Sequence, residues 1–330
     1  FRILLFDEER SDPPVVVLTS GRVPAASGPA VRSETFTVSA DGRVIVLMRR
    51  LSEQQTTYYV LRPDAGELRA LLSGPDLGPP VVSADGQRIA FARRSDDPAV
   101  NGLWLFAIAA GAPSPGRLVT DQPQRVGSPP QPLAWSADAK WLAISPVLGP
   151  GGTEVAVVDP AAGETRFNAA TNAFVGGRAR VLGLGYAVDW RGGERNLLVT
   201  SSRDAFGGLT EIYTADVTTG TTRVLYRPTA SDAILGPAAM HPALDRYVVR
   251  EGAGGRGPGA PNTMWVRQLD GSARSVAESA FLSDPWWSRD GTRLFSVTGG
   301  DDSTGAISNF LGTGGGTPFC RRGGDPPRCT

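Results

Sequence analysis

The residue types that most often carry out covalent chemistry are scarce in this chain of 330 residues. Its one histidine, His241, is followed by Pro242 and lies where other segments of the chain carry a serine in a turn. A serine hydrolase of the α/β type needs a Gly-x-Ser-x-Gly nucleophile elbow in a separate α/β domain. The sequence contains no such elbow, and we expect no room for that domain beside the rest of the chain. We therefore interpret His241 as a turn residue and assign no catalytic residue.

Two patterns match ligand-binding motifs in composition alone. Gly252 to Gly257 matches Gly-x-Gly-x-x-Gly, but Pro258 and Pro261 follow, so no helix can begin there to hold a pyrophosphate. The acidic pairs Asp96–Asp97 and Asp301–Asp302 lack the alternating ligand spacing of a calcium loop, and we interpret them as solvated loop charge. The sequence predicts neither a cofactor nor a metal.

The two cysteines, Cys320 and Cys329, both lie in the last eleven residues. The segment between them contains Gly323, Gly324, Pro326 and Pro327, which favour a turn that closes a small loop. We predict a disulfide between them, which implies an oxidising compartment. A pair of free thiols on a tail remains the alternative.

A recurring phrase indicates which elements position all these residues. It reads Ser-Ala-Asp-Gly, or a degenerate form of it, and an apolar run follows each copy. A period near 50 residues with strand-type content is typical of a propeller or another repeat array. The copies begin at Ser39, Ser83, Ser136, Arg191, His241 and Ser288, with spacings of 44, 53, 55, 50 and 47 residues.

Each repeat contains segments for four strands. Asp-Gly is a strong hairpin signal between the first and second strands, and runs such as Tyr58–Leu61 and Leu68–Leu72 supply the third and fourth. Four antiparallel strands, repeated six times, predict an all-β fold, a six-bladed β-propeller. We place the propeller in residues 1–300 and a Gly-rich linker with the cysteine-containing C-terminal tail in residues 301–330.

The N-terminal segments Arg2–Phe6 and Val15–Thr19 resemble third and fourth strands that precede any first strand. We predict that they complete the blade begun near Pro285 and so close the ring, leaving no open sheet edge. Ala306–Phe310 is the alternative third strand of that blade.

Arginines recur where the second strand of a repeat ends. In a propeller the loops at this end share a face with the connections between blades, and functional residues concentrate in such loops. We predict that this face binds a polar protein partner or an anionic ligand. The alternative is that these arginines cap blade edges and pair with Asp96, Asp204 or Glu251. The candidate residues are Arg49, Arg50, Arg93, Arg94, Arg203 and Arg250.

The phrase Trp-Ser-x-Asp-Gly followed by an apolar strand, as at Trp287–Gly291, resembles the repeat of TolB-type propellers. This resemblance covers about residues 1–300 and implies the propeller fold. It also implies a protein-binding scaffold that works outside the cytoplasm. TolB itself has an additional N-terminal α/β domain, for which we expect no room in this chain, so the resemblance extends to the propeller alone.

The charge balance and the hydropathy of the sequence limit the classes of partner that we expect. The 33 basic and 33 acidic residues balance, which argues against a nucleic-acid partner. The sequence contains no stretch of 18 or more apolar residues, so we predict no transmembrane segment in it. A start at Phe1 without methionine fits a mature chain from which a signal peptide or anchor has been removed.

We predict a non-catalytic periplasmic or extracellular scaffold, or an accessory subunit, that binds a protein partner such as a membrane-embedded complex. The alternative is a propeller enzyme of the hydrolase or lyase type, or a carbohydrate-binding protein, that uses the central channel.

Overall fold

The structure is a computed structural model in which almost all regular structure is β-strand. Among the residues that the structure describes, the one helical element is a short 3-10 turn at Pro160–Ala162. We number the strands β1 to β30 in chain order. The structure describes residues 2–5, 15–19, 33–52, 54–109, 116–120, 130–145, 154–168, 173–190, 195–201, 210–230, 233–253, 262–279, 282, 284–287, 291–298, 306–309, 317–321 and 328–329.

The recurring phrase folds as a hydrogen-bonded turn between two strands. The Ser39 amide donates to Val44 O (2.9 Å), and the Gly42 amide donates back to Ser39 O (3.0 Å). The Ser39 hydroxyl donates to Asp41 Oδ1 (2.6 Å) and accepts the Val44 amide (3.0 Å). Gly42 has φ of 72°, a left-handed conformation that glycine adopts without steric cost. The serine, aspartate and glycine of the phrase are therefore explained by the turn.

Two compact units make up the chain, one of residues 20–184 and one of residues 1–19 with 185–330. The first unit contains sheets A, B and C, in each of which successive strands pair antiparallel. Sheet A consists of β3 Ser33–Val38, β4 Ile45–Ser52, β5 Gln55–Arg62 and β6 Glu67–Gly74. Sheet B contains β7 Val81–Val82, β8 Arg88–Arg93, β9 Gly102–Ala107 and β10 Gly116–Thr120. Sheet C consists of β11 Gln131–Trp135, β12 Leu142–Ser145, β13 Glu154–Val158 and β16 Ala179–Leu184.

A hairpin inserted within the repeat of sheet C extends sheet B instead. Its strands are β14 Thr165–Asn168 and β15 Ala173–Val175, and β14 pairs with β10 in the parallel sense. Arg117 of β10 forms an ion pair with Glu164 at 3.2 Å beside this junction. The hairpin therefore joins the outer edge of one repeat to the next repeat in the chain.

The second unit contains sheets D, E and F. Sheet D consists of β17 Ala187–Trp190, β18 Asn196–Ser201, β19 Glu211–Asp216 and β20 Thr222–Tyr226. Sheet E contains β21 Ala233–Leu235, β22 Ala239–Met240, β23 Arg246–Ala253, β24 Asn262–Gln268 and β25 Ala273–Ser279. Sheet F consists of β26 Trp286–Trp287, β27 Leu294–Thr298, β28 Ala306–Asn309, β29 Thr317–Arg321 and β30 Arg328–Cys329.

Sheet F has the third strand that the sequence offered as the alternative, at Ala306–Asn309, and not the predicted N-terminal one. Its third and fourth strands are β28 and β29, whereas the N-terminal strands β1 Arg2–Leu5 and β2 Val15–Thr19 pair with each other in a sheet of their own. In the described backbone, the N-terminal strands therefore do not complete the last blade. The connection from β27 to β28 is short, so its loop entropy is far smaller than that of recruiting a strand nearly 300 residues away. Sheet F also continues past residue 300, into the segment predicted as a tail.

Apolar side chains fill the spaces between consecutive sheets within each unit. Between sheets A and B, buried Tyr58 and Phe91 meet edge to face with ring centroids 5.4 Å apart. Tryptophans before the turns add a hydrogen bond from one sheet to the preceding one: Trp135 Nε1 donates to Val81 O (3.1 Å), and Trp287 Nε1 donates to Ala239 O (3.2 Å). These tryptophans are therefore packing residues of the repeat.

No helix in the part of the chain that the structure describes is long and apolar enough to cross a membrane.

Candidate functional site

The predicted arginines belong to second strands, but β4 and β23 run further than the sequence implied, so Arg49, Arg50 and Arg250 lie within a strand and not at the start of a loop. Arg49 and Arg50 are in β4, Arg93 ends β8 with Arg94 next to it, and Arg250 is in β23. Arg203 lies outside the described residues. The first four belong to the unit of residues 20–184 and Arg250 belongs to the other unit, so each group is considered by itself.

In the first unit, side chains of sheet A cap the chain segment that leads into sheet B. Arg50 Nη2 donates to Leu77 O at 2.7 Å, and the hydroxyl of Tyr58 donates to Gly78 O at 2.5 Å. Arg94 is exposed, and its amide donates to Asp76 O at 3.1 Å. The contact of Arg50 agrees with the alternative prediction that such arginines cap blade edges, although the cap is a carbonyl and not an acidic residue.

In the second unit, Arg250 lies at the centre of a polar cluster. Its Nη1 donates to Asn262 Oδ1 at 3.4 Å, and its Nη2 lies 3.4 Å from Asp284 Oδ1. Asp284 precedes the first strand of sheet F, so the ion pair links sheets E and F. The predicted alternative partner, Glu251, is not the partner of Arg250, because adjacent residues of a strand point to opposite faces of the sheet.

Two glycines make room for this arrangement. A Cβ atom at position 236 would lie 3.0 Å from both Nε and Nη2 of Arg250, and one at position 252 would collide with Asn262 Oδ1. The guanidinium therefore packs directly against the backbone of Gly236. Its Nε is buried and has no hydrogen-bond partner among the described groups.

Tyr186 completes the cluster. Its hydroxyl donates to Leu235 O, next to Gly236. Burial and the Asp284 carboxylate together raise the pKa of Tyr186 to about 12, and the Arg250 guanidinium acts in the opposite direction. Both charged groups therefore lie within electrostatic reach of the phenol, which is neutral at physiological pH. We call Tyr186, Arg250, Asn262 and Asp284 the Arg250 cluster.

Glu251 belongs to a separate, more enclosed group on the other face of sheet E. Its Oε2 accepts Arg267 Nη2 at 3.2 Å and the hydroxyl of Tyr226 at 2.9 Å. The Arg267 guanidinium stacks on the Tyr226 ring, 3.4 Å from its centroid. The side chains of Arg267 and Glu251 are only 13% and 21% exposed, so this group fastens sheet D to sheet E and offers little surface to a ligand.

His241 is a turn residue, as predicted. Its amide donates to Arg246 O (2.9 Å) and its carbonyl accepts the Leu244 amide (2.8 Å), the pattern made by Ser39 in the first repeat. Its Nδ1 accepts the Ala243 amide at 3.0 Å, and its Nε2 lies 3.0 Å from Gly291 O. The ring also meets Trp287 edge to face. These contacts use both ring nitrogens in the turn and in the contact between sheets.

The other motifs are in part outside the described residues. Asp97 caps its own loop, since its Oδ1 accepts the Ala99 amide at 2.8 Å. Asp301–Asp302 and residues 254–257 of the glycine motif are outside the description. The described residues include no group of three or more His, Cys, Asp or Glu side chains placed to hold a metal ion. Cys320 and Cys329 are register partners in β29 and β30, and their side chains lie outside the described part.

Asp189 is a residue that sequence reasoning did not find. It lies on β17, the first strand of sheet D, and its Oδ2 accepts the Met240 amide of sheet E at 2.6 Å. Burial raises its pKa to about 6, although the amides of Met240 and Trp190 act in the opposite direction. No pattern singles it out, because the equivalent position in the first repeat is Thr37, whose hydroxyl accepts the Val82 amide.

Tyr186, Asn262 and Asp284 were missed for a different reason. Tyr186 and Asp284 lie in connections between repeats, whose lengths vary, and Asn262 follows a long loop. One signal was present. Leu77–Gly78 and Leu235–Gly236 stand at the same distance before their respective turns, and a carbonyl of each segment accepts a hydrogen bond from a tyrosine hydroxyl.

No protein-family model matches the chain, and no curated protein matches it. Solved propeller structures do. A prolyl endopeptidase matches with a TM-score of 0.65 and 15% identity, over 94% of this chain and 44% of that chain. Oligogalacturonate lyase in complex with manganese matches with a TM-score of 0.60 and 11% identity, over 88% of this chain and 77% of that one. The β-propeller domain of the Trilobed protease from Pyrococcus furiosus matches with a TM-score of 0.58 and 12% identity, over 87% and 84%.

These similarities establish the fold. The chain is all-β, with four-stranded antiparallel sheets of the propeller type, and the resemblance to TolB-type propellers is confirmed at the level of the fold. The chain spans less than half the length of the prolyl endopeptidase that it matches.

The prediction of a non-catalytic scaffold is wrong, because the similar propellers belong to enzymes. That prediction rested on the lack of a catalytic motif within the chain, which says nothing about a propeller that serves an enzyme. A protein partner and the 300/301 domain boundary stay predictions.

Proposed function

We propose that this chain is the propeller part of a peptidase of the prolyl endopeptidase type, and that its substrates are peptides. The observation that carries the proposal is the similarity to a prolyl endopeptidase over 94% of this chain, at a TM-score of 0.65. The β-propeller domain of a second protease supports it, because that domain is matched over 84% of its length.

In this proposal, sheets A to F are six blades of one propeller, and the propeller selects the substrate. The chemistry itself belongs to another part of the enzyme, since both ring nitrogens of the chain's one histidine are engaged in a turn. Inter-domain dynamics have a role in catalysis and specificity in prolyl endopeptidases. A propeller suits such a role when its blades are firmly connected and its loops carry polar groups.

The contacts between consecutive sheets support a stiff frame. Indole, phenol and guanidinium donors of one sheet reach main-chain carbonyls of its neighbour, as at Trp135, Tyr58 and Arg50. Each such bond satisfies a carbonyl that would otherwise be costly to bury. Substrate selection then falls to the polar side chains at the ends of the second strands, among which the Arg250 cluster is the fullest described.

The test is a substrate comparison with the full-length protein from its native source. We expect cleavage of a proline-containing peptide beside the proline, detected by mass spectrometry, and little cleavage of the matched peptide with alanine in its place. Oligogalacturonate is the second substrate. Breakdown of oligogalacturonate without peptide cleavage would replace the peptidase by a lyase, and no turnover of either would contradict the proposal of an enzyme of these types.

A further inference from the structure

The Arg250 cluster is organised differently from the contact that Arg50 makes on the second strand of sheet A. Arg50 donates to a main-chain carbonyl at 2.7 Å, and the backbone holds that carbonyl in place. Arg250 is instead held by two side-chain oxygens at 3.4 Å, the outer limit of a hydrogen bond. Its charge is therefore weakly compensated, although its side chain is only 27% exposed.

The position of the guanidinium is nevertheless fixed. Gly236 lies against the guanidinium on one side, and Gly252 leaves space for the Asn262 amide whose oxygen accepts from Nη1. The guanidinium charge also acts on the phenol of Tyr186, whose pKa it lowers. A fixed, half-buried guanidinium is the group that binds carboxylates best, because its paired N–H donors match both carboxylate oxygens.

Asp284 is the more exposed partner in this arrangement. Its side chain is 55% exposed, twice as much as that of Arg250, and one of its oxygens lies 3.4 Å from Nη2. An exposed ion pair of this length contributes little free energy. Breaking the pair between Arg250 and Asp284 therefore costs little when a ligand carboxylate approaches from solvent.

We propose that Arg250 binds a carboxylate of the substrate and that Asp284 occupies this position when no substrate is bound. The inference rests on the proposed function and deepens it, because it names the chemical group by which the propeller recognises its ligand. Under the proposed function the carboxylate is the C-terminus of a peptide. The same chemistry is present in an acidic oligosaccharide.

The experiment measures binding to the full-length protein by calorimetry, with three probes. They are a proline-containing pentapeptide with a free C-terminal carboxylate, the same peptide with a C-terminal amide, and trigalacturonate. We expect the free carboxylate to bind about tenfold more tightly than the amide, the difference expected when one hydrogen bond to a charged group is lost.

Four variants separate recognition from structure. Arg250→Gln should abolish the preference for the carboxylate, and Arg250→Lys should reduce it, which keeps the test valid if the glutamine variant does not fold. Asp284→Asn should increase the affinity for the carboxylate peptide, because it removes the internal competitor. Arg274→Gln, at an exposed arginine in β25 of sheet E, should change nothing.

If the ion pair had only a structural role, Asp284→Asn would lower the affinity for the carboxylate peptide, because loss of the pair would disorder the site. Weaker binding by that variant, equal binding of carboxylate and amide peptides, or binding of none of the probes would overturn the inference. Binding of trigalacturonate alone, with the same dependence on Arg250, would support the carboxylate site while contradicting the peptide substrate.

Discussion

Individual side chains do two kinds of work in this molecule. Some buried or half-buried polar side chains cap main-chain groups of a neighbouring strand or sheet, as Ser39, Tyr58 and Trp287 do. Such caps stabilise the fold because an unpaired buried amide or carbonyl is costly. Asp189 also caps an amide, but as a carboxyl group that burial holds partly in the neutral form.

Replacing Asp189 by asparagine should change how stability depends on pH. The pKa of Asp189 is about 6 in the fold against 3.8 without it, so the native state binds the proton more tightly than the unfolded state does. Its contribution to stability is therefore complete below pH 4 and is lost as the pH rises through about 6. Asp189→Asn keeps an oxygen for the Met240 amide and should raise the free energy of unfolding at pH 7 by about 1–2 kcal/mol.

Urea unfolding at several pH values between 4 and 8 measures this effect. The variant and the parent chain should converge near pH 4 and diverge above pH 6. A variant that is less stable than the parent at pH 7 would show that the ionised carboxylate is needed at this position. Asp270→Asn is the control, because the carboxyl of Asp270 is fully exposed and its pKa is lowered instead.

At the scale of elements, the hairpin turns are nearly interchangeable in their backbone and differ in their surroundings. Gly42 and Gly291 have φ of 72° and 73°, so an alanine suffers the same backbone strain at either position. A Cβ at Gly42 would meet nothing within 4 Å, whereas one at Gly291 would collide with the imidazole of His241. His241 is buried against Trp287 and has little room to move.

Alanine substitutions at these two glycines should therefore destabilise the protein unequally. We expect Gly42→Ala to cost about 1 kcal/mol from the backbone alone, and Gly291→Ala to cost about 1–3 kcal/mol more from overpacking. The measurement is the free energy of unfolding of each variant. Combining Gly291→Ala with His241→Ser should recover much of the extra loss, and equal losses in the two single variants would contradict this packing.

The C-terminal hairpin makes the predicted disulfide testable. Cys320 and Cys329 face each other in antiparallel register, a position whose Cα separation of about 4.5–5.5 Å suits a disulfide. Under oxidising conditions we expect neither cysteine to react with an alkylating reagent until the protein is reduced, after which both react. Mass spectrometry counts the added groups, and alkylation of both thiols without reduction would disprove the bond.

At the scale of the whole chain, sequence reasoning succeeded where the signal was local and repeated. The turn at Ser39–Gly42 follows from adjacent residues, and its recurrence yields the sheets and the propeller type. It failed where pairing joins distant segments. The parallel pairing of β14 with β10 and the completion of sheet F by β28 and β29 depend on competition between strands that are far apart.

Only part of the candidate site could be predicted, because its residues come from segments that are far apart in the chain. The position of Arg250 on a second strand followed from the repeat, but its partners Asn262 and Asp284 come from the start of the next strand and from the next repeat. The function could not be predicted from motifs in the sequence. Under the proposed function the propeller selects the substrate, and the catalytic residues lie in another part of the enzyme.

The most direct test of the account is the fate of oxygen during turnover by the full-length protein in isotopically labelled water. A peptidase adds one oxygen from water to the new carboxyl group, whereas a lyase breaks its bond by elimination and adds none. We predict that the fragment ending in proline carries the label, as read by mass spectrometry. An unlabelled product with a new double bond, or no turnover of the peptide at all, would contradict the proposal that this propeller belongs to a peptidase.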